Sequence, residues 1–171
     1  MIRIAMLAWA LAAFSPAQAT TVTRASLDDL IQKSTSIVRG RVVGASATVH
    51  GSLVYTHYTI QVLERWKGAA ADQVQVPVPG GSLNGVQQNI AGAPQLGPGS
   101  EYVFFLWTGP SRATHVLGLS QGVLDIAKDA TGAAIVVRPA SEALALDSLS
   151  MKLSDFSARV TKTLKGVDPT K

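Results

Sequence analysis

Glu101-Tyr102-Val103-Phe104-Phe105-Leu106-Trp107 is the strongest strand signal in the chain. Aromatic and aliphatic residues favour extended backbone. Here they fall on both parities of a period of two, not on one. A run apolar on both faces predicts a central strand buried on both sides. Such a strand needs neighbours in the ladder and a core above and below it, so it sets the architecture of everything around it.

Working outward toward the N-terminus, Pro79 to Ser100 is rich in Gly80, Gly81, Gly85, Gly92, Gly97 and Gly99, with Pro79, Pro94 and Pro98. A structureless loop of this length is unusual in a compact domain, so Val86–Ile90 is expected to form a short strand within it. Gly80 to Gly85 lacks the Gly-Lys-Ser/Thr ending of a phosphate loop and is read as a turn needing positive φ. Gln73 to Val78 alternates as a strand, and Pro77 places it at an edge or an end. Val54 to Trp66 and Ile37 to His50 alternate over long spans, and His50-Gly51-Ser52 joins them as a hairpin. Before them, Ser26 to Lys33 reads as a short helix. Ser26 caps it, Asp28 and Asp29 sit at its positive end, and Leu27, Leu30 and Ile31 form its apolar stripe.

Toward the C-terminus, strands are expected over Thr114–Leu119, Val123–Ala127 and Ala134–Arg138. Turns fall at Ser120-Gln121-Gly122 and Asp129–Gly132. Leu149, Met151 and Leu153 alternate briefly. Ser154-Asp155 is then expected to cap a helix over 154–165, with Phe156, Val160 and Leu164 on one face and Gly166 and Pro169 ending it. Strands joined by short turns, without intervening helices, predict an antiparallel sheet closed into a barrel or sandwich. The fold class expected is mainly β, with the barrel over 36–138 and a short helix at each end.

Met1 to Arg3, the apolar run Ile4 to Phe14, the break at Ser15-Pro16 and Ala17-Gln18-Ala19 together match a secretory signal peptide over 1–19. The run is shorter than the roughly 20 residues that span a bilayer. The mature chain, 20–171, is expected to be a single domain without a membrane span, periplasmic or secreted. Its length suits one core that needs no disulfide staples.

The chain of 171 residues contains no cysteine, which removes disulfides, thiolate metal sites and thiol nucleophiles. Its formal charge of +4 falls to +3 once Arg3 is lost with the leader. Arg39, Arg41, Arg65 and Lys67 are expected to share a surface on the hairpin, and Lys152, Arg159, Lys162 and Lys165 to form the solvated side of the last helix. A charge so small and dispersed, with an exported address, argues against a nucleic-acid partner. His50, His57 and His115 form no close-spaced metal pattern, and no Gly-x-Ser-x-Gly elbow is present. Glu64 and Glu101 border strands and are expected to face solvent. No catalytic residue, metal ligand or cofactor is assigned.

Several segments together resemble a family of small secreted bacterial proteins of unknown function, some of which accompany secreted metalloproteases. They are Ser34 to Val42, Tyr55-Thr56 followed by Ile60 to Gly68, Pro79-Gly80-Gly81, Ala91 to Pro94, Gly99 to Leu106 and Gly118 to Gly122. The rhythm of Ile37–Val42, Val62–Gly68 and Gly99–Leu106 is also similar to netrin-like domains, which implies an OB-like barrel. Netrin-like inhibitors reach a catalytic zinc through an N-terminal cysteine, so the absence of cysteine prevents carrying over that mechanism.

Two functions are in view. The first is a non-catalytic binding module for a protein, such as an exported protease, or for a cell-envelope ligand. Its surface is expected on the Gly/Pro segment and the adjoining hairpin, with Tyr55, His57, Gly80, Gly81, Asn84, Gln87 and Pro94 as contacts. The second is a small exported hydrolase. It would require His57 or His115 to meet a serine or carboxylate such as Ser120 or Asp125 in one cleft. Oligomeric state is left open.

Overall fold

The computed structural model describes residues 24–69, 71–140 and 147–166; the leader expected over 1–19 lies outside them. Helix α1 (Leu27–Lys33) starts at a reciprocal cap. The Asp29 amide donates to Ser26 Oγ at 3.0 Å, and the Ser26 amide donates to Asp29 Oδ2 at 3.2 Å. Leu27, Leu30 and Ile31 are buried, as their spacing predicts.

Strands β1 (Ser36–His50), β2 (Leu53–Lys67), β3 (Gln73–Pro79), β4 (Gly81–Leu83), β5 (Val86–Gln88) and β6 (Glu101–Thr108) follow. Then come β7 (Thr114–Val116), a 3-10 turn (Leu119–Gly122), β8 (Val123–Lys128), β9 (Ala134–Arg138), β10 (Leu149–Lys152) and helix α2 (Leu153–Lys165). Eight strands make one antiparallel sheet in the order β10-β9-β8-β6-β1-β2-β3, with β7 also pairing β6; β4 and β5 pair separately.

The central position expected for 101–107 is observed. β6 pairs β1 along one edge and β8 and β7 along the other. Its alternation sorts its side chains into two cores. Val103 and Phe105 pack with α1, Leu124, Val136 and the α2 residues Phe156 and Val160. Tyr102, Phe104 and Leu106 pack with Val38, Val42, Ile60, Val76, Val78 and Leu96. The run does not stay buried to its end, because Trp107 is exposed. Trp66, by contrast, lies edge-on to Phe156 with ring centroids 5.1 Å apart.

Among the described residues the hydrogen-bonded path is open, ending at β3 and β10, and the ladder does not close. β1 carries three register shifts, each a bulge or irregularity of the kind that sharpens twist and bends a strand. β3 and β7 approach each other without joining in a ladder.

Local differences from the sequence expectation have local causes. The strand expected over Thr114–Leu119 stops at Val116, and the turn after it is a 3-10 turn. Residue Leu119 enters that turn with φ 56°. Helix α2 is preceded by Lys152, not capped by Ser154. Lys152 is held extended opposite Ile135, so the strand runs directly into the helix.

Candidate functional site

The Gly/Pro segment is built into the sheet. After Pro79, Gly80 and Gly81 have φ 97° and 135°, and they turn the chain back over the first hairpin. The Gly80 amide donates to the Val54 carbonyl at 2.7 Å, and Thr56 Oγ1 donates to the Gly80 carbonyl at 2.8 Å. A Cβ on Gly81 would sit 2.2 Å from Thr56 Oγ1, so a side chain there would have to displace the Thr56 hydroxyl from Gly80 as well as strain the backbone. β4 and β5 are joined by Asn84 and Gly85, both at positive φ, the conformation a two-residue hairpin turn requires. Gln88 pins this hairpin to the tip of the first one. Its Oε1 accepts from the Val54 amide at 2.7 Å, and its Nε2 donates to the Ser52 carbonyl at 2.9 Å.

The rest of the segment is also anchored. Leu96 is buried in the core shared with Phe104. The Gly97 amide donates to the Tyr102 hydroxyl at 2.8 Å, and the Ser120 amide donates to the Gly92 carbonyl at 3.0 Å.

Two adjoining hollows result, sharing Val78, Pro79 and Pro94. The first, about 120 Å³, is lined by Gly80, Gly81, Ser82, Gln87, Asn89, Pro94 and Gln95 above Thr56 and Tyr58. The second, about 240 Å³, is lined by Tyr55, Pro77, Pro79, Pro94, His115, Val116 and Leu119. Neither has an acidic, lysine or arginine side chain among its lining residues. Burial pushes the Tyr58 hydroxyl above its ordinary pKa, so it stays a neutral phenol. The walls combine rigid proline and aromatic surface with amide and hydroxyl groups, which suits neutral polar ligands.

Of the residues proposed from sequence, Gly80, Gly81, Gln87 and Pro94 line the first hollow, and Tyr55 and Pro94 the second. Asn84 serves the hairpin turn and lines neither. Nor does His57, whose Nε2 lies 2.9 Å from Thr48 Oγ1 on the adjacent strand. Pro77, Asn89, Gln95, His115 and Leu119 join the lining unforeseen. His115 arrives because β7 is carried beside β3, a long-range placement without a local signal.

The pairing a His-based hydrolase requires does not form among the described residues. No hydrogen bond joins His50, His57 or His115 to Ser120 or Asp125, and no metal-holding group of three His, Asp or Glu residues occurs among them. Partial desolvation raises the Asp125 carboxyl above its usual range.

The basic surface expected on the hairpin is largely engaged internally. Glu101 does not face solvent as expected; its carboxylate accepts from Arg39 Nη2 at 2.6 Å and Arg41 Nη2 at 2.5 Å. Lys67 Nζ donates to the Ile31 and Gln32 carbonyls at 2.7 and 2.8 Å, at the negative end of α1.

No family model, curated protein or solved structure matches this chain. Among the described residues, no helix is long and apolar enough to cross a membrane.

Proposed function

We propose that the chain is an exported, non-catalytic binding module whose recognition surface is the pair of hollows between β3, the β4–β5 hairpin and β7. The observation that carries this reading is the convergence of Tyr55, Gly80, Gly81, Gln87 and Pro94 around adjoining hollows on a rigid sheet. The partner is an exported protein, such as a protease, or a cell-envelope ligand, engaged through neutral amide, hydroxyl and aromatic groups. The scaffold is read as an OB-like barrel rolled through β3-β2-β1-β6-β7. The bulges of β1 and the approach of β7 to β3 support that reading. Export rests on the leader motif of residues 1–19 and is checked by sequencing the N-terminus of the protein recovered from the periplasm or medium, expected at Thr20.

The double substitution Tyr55→Ala with Gln87→Ala tests the surface, because neither side chain belongs to the two buried cores. Capture of a partner from cell-envelope extract is expected to weaken about tenfold or more, with thermal stability nearly unchanged. Equal capture by wild type and variant, both folded, rejects the hollows as the site. Deleting the whole Gly/Pro segment is a poorer test, since it removes buried Leu96.

A further inference from the structure

A long, unprotected sheet edge is a template for another strand, and most proteins blunt such edges with proline, charge or brevity. Two edges of this sheet are blunted. β3 carries Pro77 and Pro79, which have no N–H to offer. β10 has four residues, ends in Lys152 and runs into α2. A third edge is the outer half of β1. β6 covers β1 only from Ser36 to Arg41, and the last bonds on that side join Val42 to Gly99 and Ser100. Beyond them, β1 pairs β2 alone as far as His50.

The stretch without a second ladder partner is Val43-Gly44-Ala45-Ser46-Ala47-Thr48-Val49, without a charge or a proline. Its end residues leave apolar surface in water, Val43 at 48% and Val49 at 57% exposure. Its sequence is close to a palindrome about Ser46. Valine stands at each end, alanine on each side of the centre, and glycine and threonine occupy the remaining matched positions. An interface on a two-fold axis must be complementary to itself, and an antiparallel strand pair with this symmetry meets that condition.

We propose that this edge joins two copies of the chain, β1 pairing antiparallel with β1 of a second copy about Ser46. Val43 of one copy then faces Val49 of the other, Ala45 faces Ala47, and the two Ser46 residues face each other. The pairing satisfies the free backbone groups of the stretch and makes one sheet continuous through both copies. It rests on the strand edge alone, so it stands or falls separately from the binding hollows.

The absence of cysteine makes a clean test possible. Residues directly opposite in an antiparallel pair have Cα atoms about 4.5–5.5 Å apart, within the disulfide range. In Ser46→Cys the two thiols meet at the axis. In Thr48→Cys they lie about 13 Å apart along the strands. The purified chain is expected to sediment as a dimer in the micromolar range. Ser46→Cys is expected to form a covalent dimer under mild oxidation much faster than Thr48→Cys. Ser46→Asp, which sets two carboxylates against each other at the axis, is expected to sediment as a monomer with an unchanged far-UV spectrum. A wild-type monomer throughout that range overturns the proposal. So does a dimer that Ser46→Asp leaves intact, or cross-linking no faster at 46 than at 48.

Discussion

Glu101 begins the central strand, and its carboxylate is only 19% exposed between Arg39 and Arg41. Hydrogen bonds from Arg41, then from Arg39, hold its carboxyl below the ordinary 4.5. With the folded pKa lower than the unfolded one, the stabilisation is fully present above the unfolded value. It is lost as pH falls through the folded value. Glu101→Gln is expected to cost about 1–2 kcal/mol at neutral pH, a figure reduced for the partial exposure of both arginines. Urea titrations at pH 7 and below pH 4 check this, with the gap from wild type narrowing in acid. The sequence shows an acid at the head of a strand but not its partners. The nearer is 60 residues away and is brought alongside by the β1–β6 ladder.

At the scale of elements, α1 was legible because its signal is local. Ser26 and Asp29 cap each other across three residues, and Lys33 closes the last turn with an ion pair to Asp29 at 3.0 Å. The Ser26 hydroxyl first, and Lys33 second, hold the Asp29 carboxyl down to about 2. Its half of the cap therefore survives mild acid and is lost only as pH falls toward that value. Ser26→Ala is expected to lower stability by about 1 kcal/mol, read as a shift in the urea midpoint with an unchanged slope. Within the stretch Gly80 to Gly85, read as a turn, only Asn84-Gly85 turns the chain between strands, while Gly81–Leu83 pairs as β4. The start of α2 differs from the cap expected at Ser154 because pairing with β9, not cap chemistry, sets where β10 ends.

The whole molecule is held by two cores that share β6. Phe156 is fully buried and meets both Trp66 and Phe105 edge-on, at 5.1 and 6.1 Å between centroids. Phe156→Ala is expected to cost about 3–5 kcal/mol. Native-state hydrogen exchange should show α2 opening more readily, because this ring and Val160 are the buried residues that fix α2 against the sheet. Unchanged protection in α2 would contradict that role.

By itself the sequence determined the longer strands, the two helices apart from the start of α2, the α1 cap and the central place of 101–107. These follow from side-chain period, cap chemistry and turn chemistry, which act across a few residues. Gly81–Leu83, which pairs as β4, it reads as part of a turn. Only the tertiary structure decided the strand order and the open ends at β3 and β10. It also decided the pairing of Arg39 and Arg41 with Glu101, the grouping of Tyr55, Pro94 and His115 at adjoining hollows, and the outer edge of β1 left without a second ladder partner. Each of these depends on segments far apart in the chain. The two apolar faces of 101–107 are written in local spacing, but which segments cover each face, and where the register of β1 shifts against β2, is settled only when distant segments meet.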